Sequence, residues 1–171
     1  MTDLEYLRAA LSEARAAEAA DEVPVGAIAV FQGEIVGRGQ NRTLRDLDPT
    51  AHAEVIALRQ AARRLGNFRL TGCELFVTLE PCAMCAGAMI QARIARLVYA
   101  APDPKAGAVT SVLHVLNHPR LNHRIEVAGG ELAEECGELL REFFRRRREP
   151  GFFTEVRAQE RTREENAGKG R

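Results

Sequence analysis

The sequence predicts an α/β sandwich built on a five-stranded, partly parallel sheet. Three observations carry that expectation. Apolar runs of strand length alternate with segments of helical periodicity. Turn residues separate them at short intervals. Between the fourth and fifth strands lie about two dozen residues, enough for a crossover that leaves the two parallel.

The elements follow in order. Thr2-Asp3-Leu4-Glu5 matches a capping box, and Leu4, Leu7, Leu11 and Ala14 recur at helical spacing, so a first helix runs to about Ala20. Residues 25–31 are apolar on both faces, as a strand inside a sheet must be. Gln32-Gly33 turns the chain, and Ile35-Val36 returns as the second strand of a hairpin. The polar stretch 41–50 is loop, and 51–65 forms a second helix that Gly66-Asn67 ends. Residues 75–79 make a third strand. Pro81 opens a helix through Gln91, because a first-turn proline lacks only an amide hydrogen that would have no helical partner. Residues 97–100 form the fourth strand. The Pro- and Gly-rich segment 101–108 leads to a short helical stretch at 112–116. Residues 125–127 are the fifth strand, and 131–148 a long last helix. This makes one domain over residues 1–150. Residues 155–171 are charged and poor in apolar side chains, which predicts a flexible tail over 151–171, with Gly151-Phe152-Phe153 able to dock on the body.

Composition narrows the class. A chain of 171 residues can bury a substantial core without disulfides, and 46% apolar with 28% charged residues is ordinary for a soluble protein. Aromatic residues make up only 5% and tryptophan is absent, which argues against a binding face of stacked rings. The formal net charge of zero removes the global argument for a polyanionic partner, although acids elsewhere can offset a local basic patch. No apolar stretch has the length of a membrane span, and the acidic first residues do not resemble a signal peptide. A cytoplasmic protein without membrane association is expected.

The cysteines stand at 73, 82, 85 and 136. In a reducing compartment the close pair Cys82 and Cys85 suits metal binding or redox chemistry, whereas Cys73 and Cys136 read as buried apolar thiols. Two short segments, Thr50-Ala51-His52-Ala53-Glu54 and Glu80-Pro81-Cys82-Ala83-Met84-Cys85, each open a predicted helix. Cysteines three apart leave one helix face, and a helix amino terminus favours thiolate. With His52 as a neutral third ligand the set suits Zn²⁺, one ion per subunit, with a position left for water. A closed four-ligand site has no sequence support, since neither Cys73, Cys136, His114, His118 nor His123 repeats the Cys-x-x-Cys spacing. Glu54 stands beside the water, able to take its proton and deliver it to a substrate nitrogen. Residues two apart on a regular helix diverge, so His52 and Glu54 can cooperate only if both enter the cavity at the first turn. Read alone, Glu54 is equally a helix-start acid favoured by the dipole.

His-x-Glu followed by Pro-Cys-x-x-Cys is a known signature of zinc nucleobase deaminases. From Leu4 to Arg148 the chain resembles the bacterial tRNA-specific adenosine deaminases of the TadA family. The resemblance runs through Glu22-Val23-Pro24-Val25-Gly26-Ala27, Asn41-Arg42, Asp48-Pro49-Thr50-Ala51-His52-Ala53-Glu54, Ala57-Leu58-Arg59-Gln60 and Val77-Thr78-Leu79-Glu80-Pro81-Cys82-Ala83-Met84-Cys85. Asn122-His123-Arg124 and Phe143-Phe144-Arg145 extend it. It implies a three-layer α/β/α cytidine-deaminase-like fold with a mixed five-stranded sheet. It implies a homodimer that converts the wobble adenosine of a tRNA anticodon, arginine tRNA foremost, to inosine with release of ammonia. His52, Cys82 and Cys85 would bind zinc and Glu54 would shuttle protons while zinc-bound hydroxide attacks the base. Asn41 would contact the target base, Ala53 would be substrate-binding, and Asp103 would touch the neighbouring nucleotide's sugar. One departure stands at Pro102, where the family commonly has arginine; it bears on one loop contact to RNA and not on the chemistry.

Two rival readings share parts of the pattern. A deaminase of guanine, cytosine or a pteridine-like precursor would keep the zinc residues without needing tRNA. A non-catalytic RNA-binding or scaffold protein would use zinc structurally, but it has no need of Glu54. Arg141 and Arg145 to Arg148 set five positive charges against Glu142 on the last helix, either a solvated face or, beside the pocket, a phosphate contact.

Overall fold

In the computed structural model, which describes residues 1–148, the element order is α1 (Asp3–Ala19), β1 (Gly26–Phe31), β2 (Glu34–Gln40), α2 (Ala53–Leu65), β3 (Glu74–Leu79), α3 (Ala83–Ala92), β4 (Arg96–Ala101), β5 (Glu126–Gly129) and α4 (Ala133–Arg148). The tail expected at 151–171 lies outside the described residues. The five strands form one mixed sheet in the order β2-β1-β3-β4-β5. β1 is antiparallel to both neighbours, and β3, β4 and β5 run parallel.

Strand periodicity divides the core. Ile28 and Val30 of β1, with Phe76 and Val98, face α1 and α4, where they meet Tyr6, Leu7, Leu11, Cys136 and Leu139. Ala27 and Ala29, with Leu75, Val77 and Leu97, face α2 and α3, where they meet Leu58, Ala61 and Met89. Full burial of a side chain such as Leu7, Ile28 or Phe76 contributes roughly 1.5–3 kcal/mol. Cys73 and Cys136 are buried apolar thiols, as expected.

The capping box forms as read: Thr2 Oγ1 accepts from the Glu5 amide and Glu5 accepts from the Thr2 amide. Gly66 ends α2 in the left-handed region at φ 66°. α2 rests unusually close to β2. A Cβ at Gly39 would fall 2.0 Å from the Ala53 carbonyl oxygen, so only glycine lets the first turn of α2 settle there.

Three differences from expectation bear on the site. α2 begins at Ala53 and α3 at Ala83, because His52 and Cys82 are extended cap residues outside their helices. Pro81 therefore precedes the cap rather than sitting in the first turn, and its carbonyl accepts from the Ala108 amide. Residues 112–116 are not helical. The amides of Val109, Thr110 and Ser111 are taken by the Glu80 carboxylate, and those of Val112 and Leu113 both turn back to the Gly107 carbonyl.

Candidate active site

The site forms where two helices begin side by side. His52 caps α2 at φ −77°, ψ 151°, and Cys82 caps α3 at φ −74°, ψ 174°. Neither spends its side chain on capping. For α2 the duty falls to Asn41, whose Oδ1 accepts from the Ala53 amide at 2.9 Å and leaves the His52 ring free. The extended cap also resolves the divergence that a regular helix would impose on His52 and Glu54. His52 Nδ1 lies 3.7 Å from Cys82 Sγ and 3.6 Å from Cys85 Sγ, while the buried Glu54 carboxyl sits near enough to Cys85 for each to shift the other's pKa.

Among the described residues, His52, Cys82 and Cys85 are the one group of three metal-ligating side chains that converges, with all donor atoms within 4.8 Å of one another. The donors fit a tetrahedral zinc ion, because bonds of roughly 2.0–2.3 Å place two ligand atoms about 3.6 Å apart. Two sulfurs and an imidazole nitrogen are also a donor set that soft or borderline cations prefer. The Cys85 thiol hydrogen bond, outweighing burial and joined by His52, holds Cys82 down to about 3. Cys85 is pushed up by its hydrogen bond to Cys82 and by burial, and the bond to Cys82 raises His52. Glu54 is only 4% exposed, and burial raises its carboxyl pKa above the usual range.

The remaining expected residues lie on two loops beside these helix starts. Asn41 is buried at the first turn of α2, and the Ala53 amide is its partner. Asp103 Oδ1 accepts from the Lys105 and Ala106 amides, so this side chain shapes its own turn. His123 Nε2 meets the Ile94 carbonyl at 2.7 Å and packs the loop, while His114 and His118 are exposed. Of the arginines on α4, Arg141 pairs with Glu134 and Glu138, Arg146 with Glu18, and Arg147 lies over the Phe143 ring while donating to the Asp21 carbonyl.

Two buried acids escaped the sequence reading. Glu22, fully buried, accepts from the Leu44 and Arg45 amides and the Thr43 hydroxyl, which fixes the loop that follows Asn41. Glu80, 2% exposed, does the same for the loop that carries Asp103. The available signal was position alone, since each acid stands next to an apolar strand or a proline rather than on a polar face.

Comparison with known proteins agrees with this geometry. The MafB19-like deaminase family matches residues 1–148. The tRNA-specific adenosine deaminase of Haemophilus influenzae is 49% identical over 148 residues, covering 86% of this chain and 86% of the relative. A structure from work on A-to-I editing by tRNA:A34 deaminases at the wobble position of transfer RNA superposes with a TM-score of 0.77 at 46% identity, covering 80% of this chain and 99% of that one. A guanine deaminase from Nitrosomonas europaea superposes with a TM-score of 0.71 at 28% identity, covering 82% of this chain and 83% of that one. With a His-Cys-Cys donor set at two helix starts and close identity across nearly all of both chains, this protein belongs to the family of tRNA-specific adenosine deaminases.

Proposed function

We propose that this protein hydrolyses the wobble adenosine of a tRNA anticodon to inosine with release of ammonia, and that arginine tRNA is its substrate. The carrying observation is a buried Glu54, its pKa raised by that burial, beside a three-donor metal site in a chain of this family. His52, Cys82 and Cys85 hold one zinc ion per subunit. Bound there, zinc supplies a Lewis acid that readies water for attack near neutral pH.

The chain's own groups do the rest. Burial raises the Glu54 pKa, which suits a carboxyl that passes on two protons per cycle: one from the attacking water to the ring nitrogen beside the attacked carbon, then one from the added hydroxyl to the departing amine. Asn41 and Ala53 meet the target base, and Asp103 the sugar of the neighbouring nucleotide. The anticodon loop is already single-stranded, so turning one base out costs less than in a duplex. Fixed loops hold the opening in shape, since the Glu22 and Glu80 carboxylates fasten both.

Two copies form the working unit. Between α2 and α3 lies an apolar groove of about 310 Å³, lined by Val55, Leu58, Ala62, Phe68, Ala88 and Ala92. A second copy covers it. No helix of the described residues is long and apolar enough to cross a membrane, and the cytoplasm, where tRNA is processed, is the place of action.

Purified zinc-loaded protein offered an arginine-tRNA anticodon stem-loop, free adenosine, guanine and cytidine tests the proposal directly. Inosine at the wobble base alone is expected. Turnover of guanine or a free nucleoside with the RNA untouched would move the protein to the small-molecule deaminases, which share its fold.

A further inference from the structure

Glu80 stands two residues before Cys82 and performs no step of the proposed chemistry, yet it is one of few buried charged side chains among the described residues. Its carboxylate gathers donors from a single loop. Oε1 accepts from the amides of Val109, Thr110 and Ser111 at 3.1, 2.8 and 2.9 Å. Oε2 accepts from the Asp103 amide at 3.0 Å and from the Ser111 hydroxyl. Successive backbone amides converging on one oxygen form an anion-binding nest, here occupied by the protein's own side chain. The loop closes this tightly only because residue 107 is glycine: a Cβ there would lie 2.4 Å from Glu80 Cδ and 2.6 Å from the Asp103 carbonyl oxygen. Two backbone bonds complete the seam, from the Glu80 amide to the Ala101 carbonyl and from the Ala108 amide to the Pro81 carbonyl.

We infer that Glu80 is a positioning residue for RNA recognition: it fastens both ends of the 103–111 loop to the turn that carries Cys82, and so sets where Asp103 stands relative to the metal site. The inference rests on the reading of the protein as a tRNA deaminase. It differs from a general packing role in one respect. A packing residue would change stability alone, whereas a loop clasp changes how well substrate is held while the metal site stays whole.

The amide of Glu80→Gln keeps one oxygen for the 109–111 amides but turns a donor toward the Asp103 N–H, releasing that end of the loop. In zinc-loaded protein, KM for the anticodon stem-loop should rise about tenfold while kcat falls less than about threefold, and zinc per subunit should be unchanged. The Asp103 amide should exchange its hydrogen faster. Gly107→Ala leaves Glu80 chemically intact but pushes into its carboxylate, and should raise KM in the same direction. Unchanged KM in both variants, with or without a lower Tm, overturns the inference. So does loss of zinc with KM retained, which would make Glu80 a support for the metal turn. Wild-type protein that leaves the stem-loop untouched overturns both the tRNA reading and the inference, an outcome visible in the control before any variant is made.

Discussion

The pairing of His52 with Glu54 depends on a single extended residue. In a continuous helix their side chains would diverge, and the proton shuttle would face away from the ligand. At φ −77°, ψ 151°, His52 leaves the helix, and Asn41 takes over the cap that it vacates. Glu54→Gln keeps shape and burial but removes the exchangeable proton, so turnover of the stem-loop should fall by about 10²–10⁴ while zinc content holds. An active variant with full zinc would remove Glu54 from the mechanism. The residue types, their spacing and their approach to helix starts were legible in the sequence; the convergence of donors within 4.8 Å was not, because it depends on pairing between distant strands. Glu80 went unread for a related reason, since its partners lie 23 to 31 residues away. It also carries a pH signature. Burial raises its pKa, but bonds from Ser111 and from the amides of Thr110, Ser111 and Asp103 outweigh that and bring it to about 2. A folded pKa below the unfolded one contributes stability above the unfolded value of 4.5 that is lost as pH falls toward 2. Tm should therefore drop across that window, and Glu80→Gln should flatten the slope.

Element placement is set by glycines that the helical and strand patterns could not distinguish. Gly39 and Gly87 both interrupt a regular element, and each lowers the expectation of one. Gly39 is where the backbone of α2 touches β2, whereas Gly87 on α3 has nothing within 4 Å of a built Cβ. Opposite outcomes follow. Gly39→Ala should destabilise by about 1–3 kcal/mol in denaturant unfolding, and should weaken zinc binding because the displaced turn carries Glu54 and follows His52. Gly87→Ala should stabilise by about 0.5–1 kcal/mol through helix propensity. The reverse order would mean that α2 does not take its position from β2. Strand identity was legible because apolar runs survive any tertiary arrangement. The helix expected at 112–116 was not formed, because its neighbouring amides serve a carboxylate that local sequence does not reveal. The arginine run on α4 was legible as charge but not as contact. Arg146 and Arg147 tie α4 to the end of α1, so an RNA-binding loss on neutralising residues 145–148 should be weighed against the loss of this docking.

At the scale of the whole molecule, the sheet buries both faces, and α2 and α3 still present an apolar groove to the outside. Phe68 stands at its rim with 71% of its surface exposed, an unusual position for the largest apolar side chain type in a chain without tryptophan. The groove is a product of tertiary packing. Its lining comes from residues 55 to 92, and no segment's periodicity marks them as one surface. A second copy related by a two-fold axis would present the same groove and the same Phe68, so each ring could fill the other's surface. Phe68→Asp places two like charges in such an interface but only one charge on an already exposed site in a monomer. Wild-type protein should sediment as a dimer. The Phe68→Asp variant should shift to monomer at the same concentration, with zinc content retained because the metal donors do not line the groove. A monomeric wild type would leave this face to another partner and remove the homodimer from the proposal. A dimeric variant would move the contact to a different face while leaving the active site within one chain.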